Sequence, residues 1–310
     1  MLGYYVGFMR SRAVLLPLLV SLCACKPAEE GRMKAIVGAV LIDGLGGPPL
    51  SDSVVVIAGD RISAVGPRSA VAIPLDADKI DGSGKFLVPA LVDVYSHPSD
   101  GANFTAGHPA NPDAARAQVA QLAAQKVPAI HIWKMEPAVA QATLEAAREA
   151  GLEAIGHVST QAGVRSLVDG GAAGFVGMIT DTEDLDPSLL ARLRDLRIFF
   201  APSLAAAGAQ LEVAKRNAHR LFASGVPIAV ASNGGDPQRE LELLVDAGIP
   251  PLDVIVAATR NGAIALRQAG QAGTIQAGKR ADLLLLAANP GADIRNWARV
   301  ALRISSGAVR

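Results

Sequence analysis

The sequence predicts an α/β protein: a parallel βα core of about six units, joined to a small β-sandwich assembled from both ends of the chain. Three observations predict it. Short apolar runs alternate with amphipathic stretches through the middle of the chain, the pattern of parallel βα units. Short strands with tight turns fill residues 34–84. Strand-like runs return between 273 and 310, so the two ends can share a sheet.

The first strands follow from local chemistry. Lys34 to Ile42 is rich in β-branched residues, and Gly44, Gly46, Gly47, Pro48 and Pro49 then break the run. Ser53 to Ala58 reads as a second strand, and Gly59-Asp60 turns it into a third over Arg61 to Val65. In the core, six strands are expected: Phe86 to Val94, Ala129 to Trp133, Ala154 to Val158, Ala173 to Gly177, Ile198 to Ser203 and Ile228 to Ser232. Helices are expected over Ala114 to Gln125, Pro137 to Ala150 (ended by Gly151) and Pro187 to Leu196, the last with Asp186 as N-cap before proline. Gly273-Thr274-Ile275, Ala281 to Leu286 and Val300 to Ser305 complete the sandwich. The resulting division is a leader over 1–24, a linker over 25–33, a composite sandwich of 34–84 with 273–310, and a core over 85–272. That core is a truncated TIM-type (β/α) barrel, shorter than the roughly 250 residues usual for eight units.

Composition narrows the function classes. Half of the 310 residues are hydrophobic, 19% are charged and the formal net charge is zero, so no global field steers the chain toward nucleic acid. Aromatics at 4% supply no stacking platform for bases. The N-terminus carries a separate signal. Arg10 and Arg12 precede an apolar run, Ala13 to Leu22, too short to span a bilayer. It ends in Leu22-Cys23-Ala24-Cys25, followed by polar Lys26-Pro27-Ala28-Glu29-Glu30. This resembles a bacterial lipoprotein signal with Cys25 as the acylated residue, the alternative being an ordinary secretory leader. Both cysteines lie in this segment, so the body of the chain is expected to use neither disulfide nor thiol chemistry. The expected location is the cell envelope, anchored by lipid on the periplasmic face of the outer membrane.

Several stretches, in order, carry a family resemblance: Gly84-Lys85-Phe86-Leu87-Val88-Pro89-Ala90-Leu91-Val92-Asp93, Thr259-Arg260-Asn261-Gly262-Ala263, and Gly273 to Leu283 with its Ala277-Gly278-Lys279-Arg280-Ala281-Asp282 centre. Together they resemble the amidohydrolase superfamily, particularly its imidazolonepropionase-like and dipeptidase-like branches. The resemblance implies a barrel whose mouth holds one or two divalent metals that activate water for hydrolysis of amide or cyclic C–N bonds. Such a site uses a His-x-His pair, a carboxylated Lys, two further His and an Asp that moves the proton.

On this sequence most of those positions are changed. Tyr95 replaces the first His of the pair and His97 keeps the second. His131, in Ile130-His131-Ile132-Trp133, stands at the lysine position, and His157 keeps its place in Gly156-His157-Val158. Gly177 replaces the sixth-strand His, and Asn233, in Ala231-Ser232-Asn233-Gly234-Gly235-Asp236, replaces the Asp. The candidate metal set is therefore His97, His131 and His157, with zinc as the expected ion. Two of these are expected to point inward, since the period of two turns their Ile and Val neighbours toward the helices. An alternative is that the histidines are hydrogen-bonded relics without metal. The candidate catalytic positions are Asn233 and Asp236, although an amide cannot act as a general base. Asp236 before Pro237 reads equally as a helix N-cap, and Asp93 as a brace of the first strand end. Lys134 is expected to point away from the mouth, His108 to lie in an exposed loop, and His219 on a helix surface.

The span between His97 and Ala129 has room for one helix where the family fits two βα units. The sheet is thus expected to present an open edge, sealed by a loop or by a second copy of the chain as a homodimer. Three functional readings follow: an amidohydrolase-family protein with weak or lost catalysis toward a small-molecule substrate, a zinc hydrolase using His97, His131 and His157, or a noncatalytic envelope-anchored binding or assembly protein on the same scaffold.

Overall fold

The computed structural model describes residues 33–96, 109–127 and 129–310. The leader, Cys25, His97 and His108 lie outside them. The chain opens with β1 (Lys34–Leu41), β2 (Leu50–Ala58), β3 (Arg61–Pro67), β4 (Asp78–Asp81) and β5 (Phe86–Pro89). The middle alternates α1 (Pro112–Ala124), β6 (Ala129–Ile132), α2 (Pro137–Glu149), β7 (Glu153–Val158), α3 (Gln161–Asp169), β8 (Gly174–Gly177), α4 (Pro187–Asp195) and β9 (Phe199–Ala201). It closes with α5 (Leu211–Ala223), α6 (Pro237–Asp246), α7 (Pro251–Val256), α8 (Gly262–Ala265), β10 (Leu283–Leu286), β11 (Val300–Ser305) and β12 (Ala308–Val309).

The terminal strands form one continuous sheet in the order β12-β11-β10-β5-β1-β2-β3, with β4 parallel to β1. Its seam is β5, which lies parallel to β1 and antiparallel to β10, so the last part of the chain is laced to the first. Alternate side chains supply one apolar core containing Ile36, Val55, Leu87, Leu285 and Ile304. The β1–β2 ladder shifts register twice around Ala39, and such bulges bend a strand and increase its twist.

The apolar run from Phe86 to Val94 predicts a single strand, and the structure divides it. The ladder of the terminal sheet ends at Pro89, and Ala90 N–H then donates to Asp282. From Val92 the chain belongs to the second sheet: Val94 N–H donates to Val230 and Asn233 N–H to Tyr95. An unbroken apolar stretch cannot signal such a crossing, because residues on both sides of it are buried.

The second sheet is parallel, in the order β6-β7-β8-β9, and a bridge from Phe200 to Ile228 continues it into the extended segment 228–232 and so to 92–95. Six strand positions therefore lie side by side, the number the sequence predicts. Residues turn alternately in and out. Ala129, Ile155, Val176, Phe199 and Ala229 pack together on the concave side with Tyr95. Ile130, Phe175, Phe200 and Val230 face the helices. The barrel is not closed: among the described residues no ladder joins β6 to 92–95. All four β6 residues are nonetheless buried.

The helix ends are specified locally. Asn111, Thr160, Asp186 and Asp236 accept N–H bonds from the first turns of α1, α3, α4 and α6. Prolines open α1, α2, α4, α6 and α7, where a missing N–H costs nothing. A π turn over Ala257–Asn261 links α7 to α8, and the Asn261 amide donates to the carbonyl of Ile228, fixing the last helix to the sheet. Among the described residues no helix is long and apolar enough to cross a membrane.

Candidate functional site

The C-terminal ends of the parallel strands converge on a cleft of about 820 Å³, where barrel enzymes place their chemistry. His157 lines this cleft, and His131 lies buried beneath it on the same side of the sheet, as the alternation of β6 and β7 requires. His131 Nδ1 and His157 Nε2 are 2.9 Å apart, so one imidazole donates its N–H to the other. The Tyr95 ring packs against both, with centroid separations of 4.8 and 4.6 Å. His131 is 2% exposed and Tyr95 likewise. Burial pushes the His131 imidazole well below its ordinary range, with the neighbouring His157 adding to the effect, and burial does the same to His157. Both rings are therefore neutral. Burial raises the Tyr95 phenol, which keeps it protonated.

Two strand ends at the mouth have turned into the left-handed region. Gly177 has φ +95°, and a Cβ there would meet the carbonyl oxygen of Val158 at 2.5 Å. No side chain, hence no imidazole, fits that position. Asn233 adopts φ +50°, a conformation that asparagine tolerates better than most residues, and its side chain lines the cleft. Lys134 is left-handed as well, at φ +49°. The turn lies beyond the end of β6, and Lys134 is exposed at the rim of the cleft, its ammonium 4.9 Å from the centroid of the Trp133 ring.

The acidic candidates lie elsewhere. Asp93 accepts N–H bonds from Tyr95 and Ser232 at 3.0 and 3.1 Å, bracing 92–95 against 228–232. Asp236 caps α6 through Gln238 N–H at 3.0 Å. It lines a second cleft, of about 740 Å³, together with Gln238, Arg280 and Trp297. The mouth thus receives the Asn233 amide and not the Asp236 carboxylate. His219 sits on α5 against Gly248. A residue that sequence reasoning missed is Glu240 on α6, fully buried although it falls in a charged stretch. Its carboxylate accepts the N–H groups of Leu204 (2.9 Å) and Ala205 (2.7 Å), in the loop after β9.

A divalent metal, which amidohydrolases generally use, does not fit the described residues. Tetrahedral zinc with nitrogen bonds of about 2.0–2.1 Å holds two imidazole nitrogens roughly 3.3 Å apart, each lone pair aimed at the ion. Here the two facing nitrogens bond each other. Tyr95 offers a protonated phenol, Gly177 offers nothing, and Asn233 offers a neutral amide. Among the described residues no group of three or more His, Cys, Asp or Glu could hold an ion.

Comparison with known proteins agrees with this architecture. An imidazolonepropionase from Geobacillus kaustophilus is 29% identical over 185 residues, 56% of this chain and 37% of that protein, so the chain spans well under half of this relative's length. Among solved structures, a Bifidobacterium longum protein assigned provisionally as a prolidase superposes with a TM-score of 0.78 at 24% identity, covering 91% of this chain and 95% of its own. Phenylurea hydrolase B superposes with a TM-score of 0.77 at 20% identity, covering 90% and 96%. At such identities the likeness is one of fold. The model of the amidohydrolase family matches residues 107–309, more than half of the sequence, and the chain belongs to that family.

Proposed function

We propose that this protein binds a small molecule at the barrel mouth and does not carry out metal-dependent hydrolysis there. The observation that carries the reading is the His131–His157 hydrogen bond beneath Tyr95. It engages with each other the two nitrogen donors that a metal would need. Asn233 removes the proton carrier as well, since an amide neither accepts nor returns a proton near neutral pH. The mouth suits a ligand with one negative charge and an apolar body. Lys134 is the charged side chain among the described lining residues, beside Trp133, Met135, Val158 and Met178, with Thr180 as a hydrogen-bonding group. The test is to load purified protein with zinc, remove free ion, measure bound metal and screen hydrolysis of dipeptides and lactams. The expected result is substoichiometric zinc and no turnover. One zinc per chain with turnover lost in His157→Ala would overturn the reading.

A specific observation supports a second reading, a zinc hydrolase using His97, His131 and His157. The facing nitrogens would need to part by only about 0.4 Å to reach ligand spacing. The same metal measurement separates the two.

Envelope anchoring through Cys25 and a homodimer sealing the open side of the barrel are part of the proposal. Labelled palmitate retained by the native chain and lost in Cys25→Ala tests the first. A solution mass of two chains tests the second, and a mass of one chain at micromolar concentration argues against it. Complete burial of β6 within one chain weakens the case for a second copy.

A further inference from the structure

Glu240 has no place in the chemistry described so far, yet its position is costly. It is fully buried, and a carboxylate removed from water needs compensation. Its compensation is two backbone N–H groups, those of Leu204 and Ala205. These open a short 3-10 turn, Leu204–Ala206, that follows β9. The turn and its surroundings bring Ser203, Ala206, Ala207 and Gln210 to the wall of the mouth. Glu240 itself stands on the helix entered from the loop that carries Asn233, another part of that wall. One buried side chain thus ties the two loops together.

Among the described residues no cation is paired with it. The charges acting on Glu240 are Asp93, from the strand segment beside Ser232, and Arg239 on its own helix, which is half exposed and paired with Glu242. The charged groups of neighbouring elements are engaged elsewhere. Lys215 and Arg216 of α5 pair with Glu212 and Glu183, His219 packs on Gly248, Arg295 pairs with Asp293, and Asp253 of α7 is exposed. Burial raises the Glu240 carboxyl to about 7, against the two backbone bonds that lower it, while Asp93 raises it further and Arg239 lowers it.

We propose that Glu240 is a positioning residue that latches the 203–207 turn against the mouth, with the latch set by whether its carboxylate is charged. Ionised, it holds both N–H groups with charge-assisted bonds, which are roughly twice as strong as neutral ones. Protonated, it is the weaker acceptor, and the turn loosens. The latch closes as pH rises through neutrality and opens below it. It operates on the wall of the cleft whether or not the cleft binds the ligand class proposed above.

The test follows the backbone amides of Leu204 and Ala205 by ¹⁵N NMR in the folded chain between pH 5 and 8.5. Both resonances are expected to titrate together with a midpoint near 7. Their exchange protection, corrected for intrinsic pH dependence, should fall roughly tenfold on the acid side, the equivalent of one weakened hydrogen bond. In Glu240→Gln the titration should vanish and the protection should stay at the low level. Amides that titrate unchanged in Glu240→Gln, or that do not titrate in the native chain, overturn the proposal. If the variant does not fold, direct ¹³C titration of the Glu240 carboxyl in the native chain decides it, and a midpoint below 5 is fatal.

Discussion

The terminal sheet and the barrel mouth treat the same constraint, burial, in opposite ways. In the sheet the core is built of hydrocarbon side chains such as Leu87, Leu283 and Leu285, its buried Ser53 hydroxyl is paired with the Ala39 carbonyl, and the backbone groups are paired in ladders that lace the two ends of the chain together. At the mouth the groups are polar: the buried His131 imidazole and Tyr95 phenol and the half-buried His157, near left-handed residues, with the buried Glu240 carboxylate behind the wall. The difference teaches what packing and a site each ask of a sequence. Packing depends on volume and period, and many sequences satisfy both. A metal centre depends on donor atoms at fixed places, which volume and period do not specify.

The largest effect that would sharpen this contrast lies in the sheet. Leu285, 2% exposed, sits on β10 where that strand joins β5. Leu285→Ala should cost about 2–5 kcal/mol through lost burial and the cavity left behind, read as a lower denaturant midpoint at unchanged slope. A cost below about 1 kcal/mol would mean that the two ends are held together by something other than this core.

At the mouth the counterpart is Gly177→His, which places an imidazole where the family resemblance implies one. The backbone leaves no room there. A Cβ would lie 2.5 Å from the Val158 carbonyl oxygen, in a left-handed conformation unfavourable to histidine. Destabilisation of about 3 kcal/mol is expected from strain and steric overlap. A variant as stable as the native chain would show that the strand end can still rearrange around a ligand.

Much of this was legible in the sequence, and the failures have physical causes. The apolar runs at 129–133, 154–158 and 173–177 and the inward direction of His131 and His157 follow from a period of two, which holds wherever one sheet face is helix-covered. The crossing at Pro89 was hidden because the run stays apolar on both sides. Glu240, in Gln238-Arg239-Glu240-Leu241-Glu242, is indistinguishable from its solvent-facing neighbours, since its partners are backbone groups 35 and 36 residues away.

A third, smaller effect is a pH dependence whose components have opposite signs. Each histidine has its folded pKa pushed below the unfolded value of 6.5. Its contribution to stability is complete above 6.5 and is lost as pH falls toward the folded value, at roughly 2 kcal/mol per residue between 6.5 and 5. Glu240 is raised from 4.5 to about 7, so its contribution is complete below 4.5 and is lost as pH rises through 7. The histidines are two and outweigh it, so the melting temperature should fall from pH 7 to pH 5. Replacing both by Gln should flatten that limb, and replacing Glu240 by Gln should steepen it. A limb unchanged in the double variant would place the acid sensitivity outside the mouth.

The smallest expected effect is the most informative about how far the site has moved from its family. Tyr95→His places an imidazole where the resemblance implies the first donor of a pair while keeping a ring beside His131 and His157. Some packing is lost, about 1 kcal/mol by the usual value of an aromatic contact. Zinc at 100 μM should not raise the melting temperature of this variant, because Gly177 and Asn233 still contribute no charged or nitrogen donor. A ligand that bound the folded state with a Kd of 1 μM would add about 2.7 kcal/mol at that concentration, an increment too large to miss in a thermal melt. Its appearance in Tyr95→His, but not in the native chain, would mean that one ring separates this mouth from a metal centre. Its absence places the barrier in the backbone at Gly177 and in the mutual hydrogen bond of the histidines, where no single side chain can restore it.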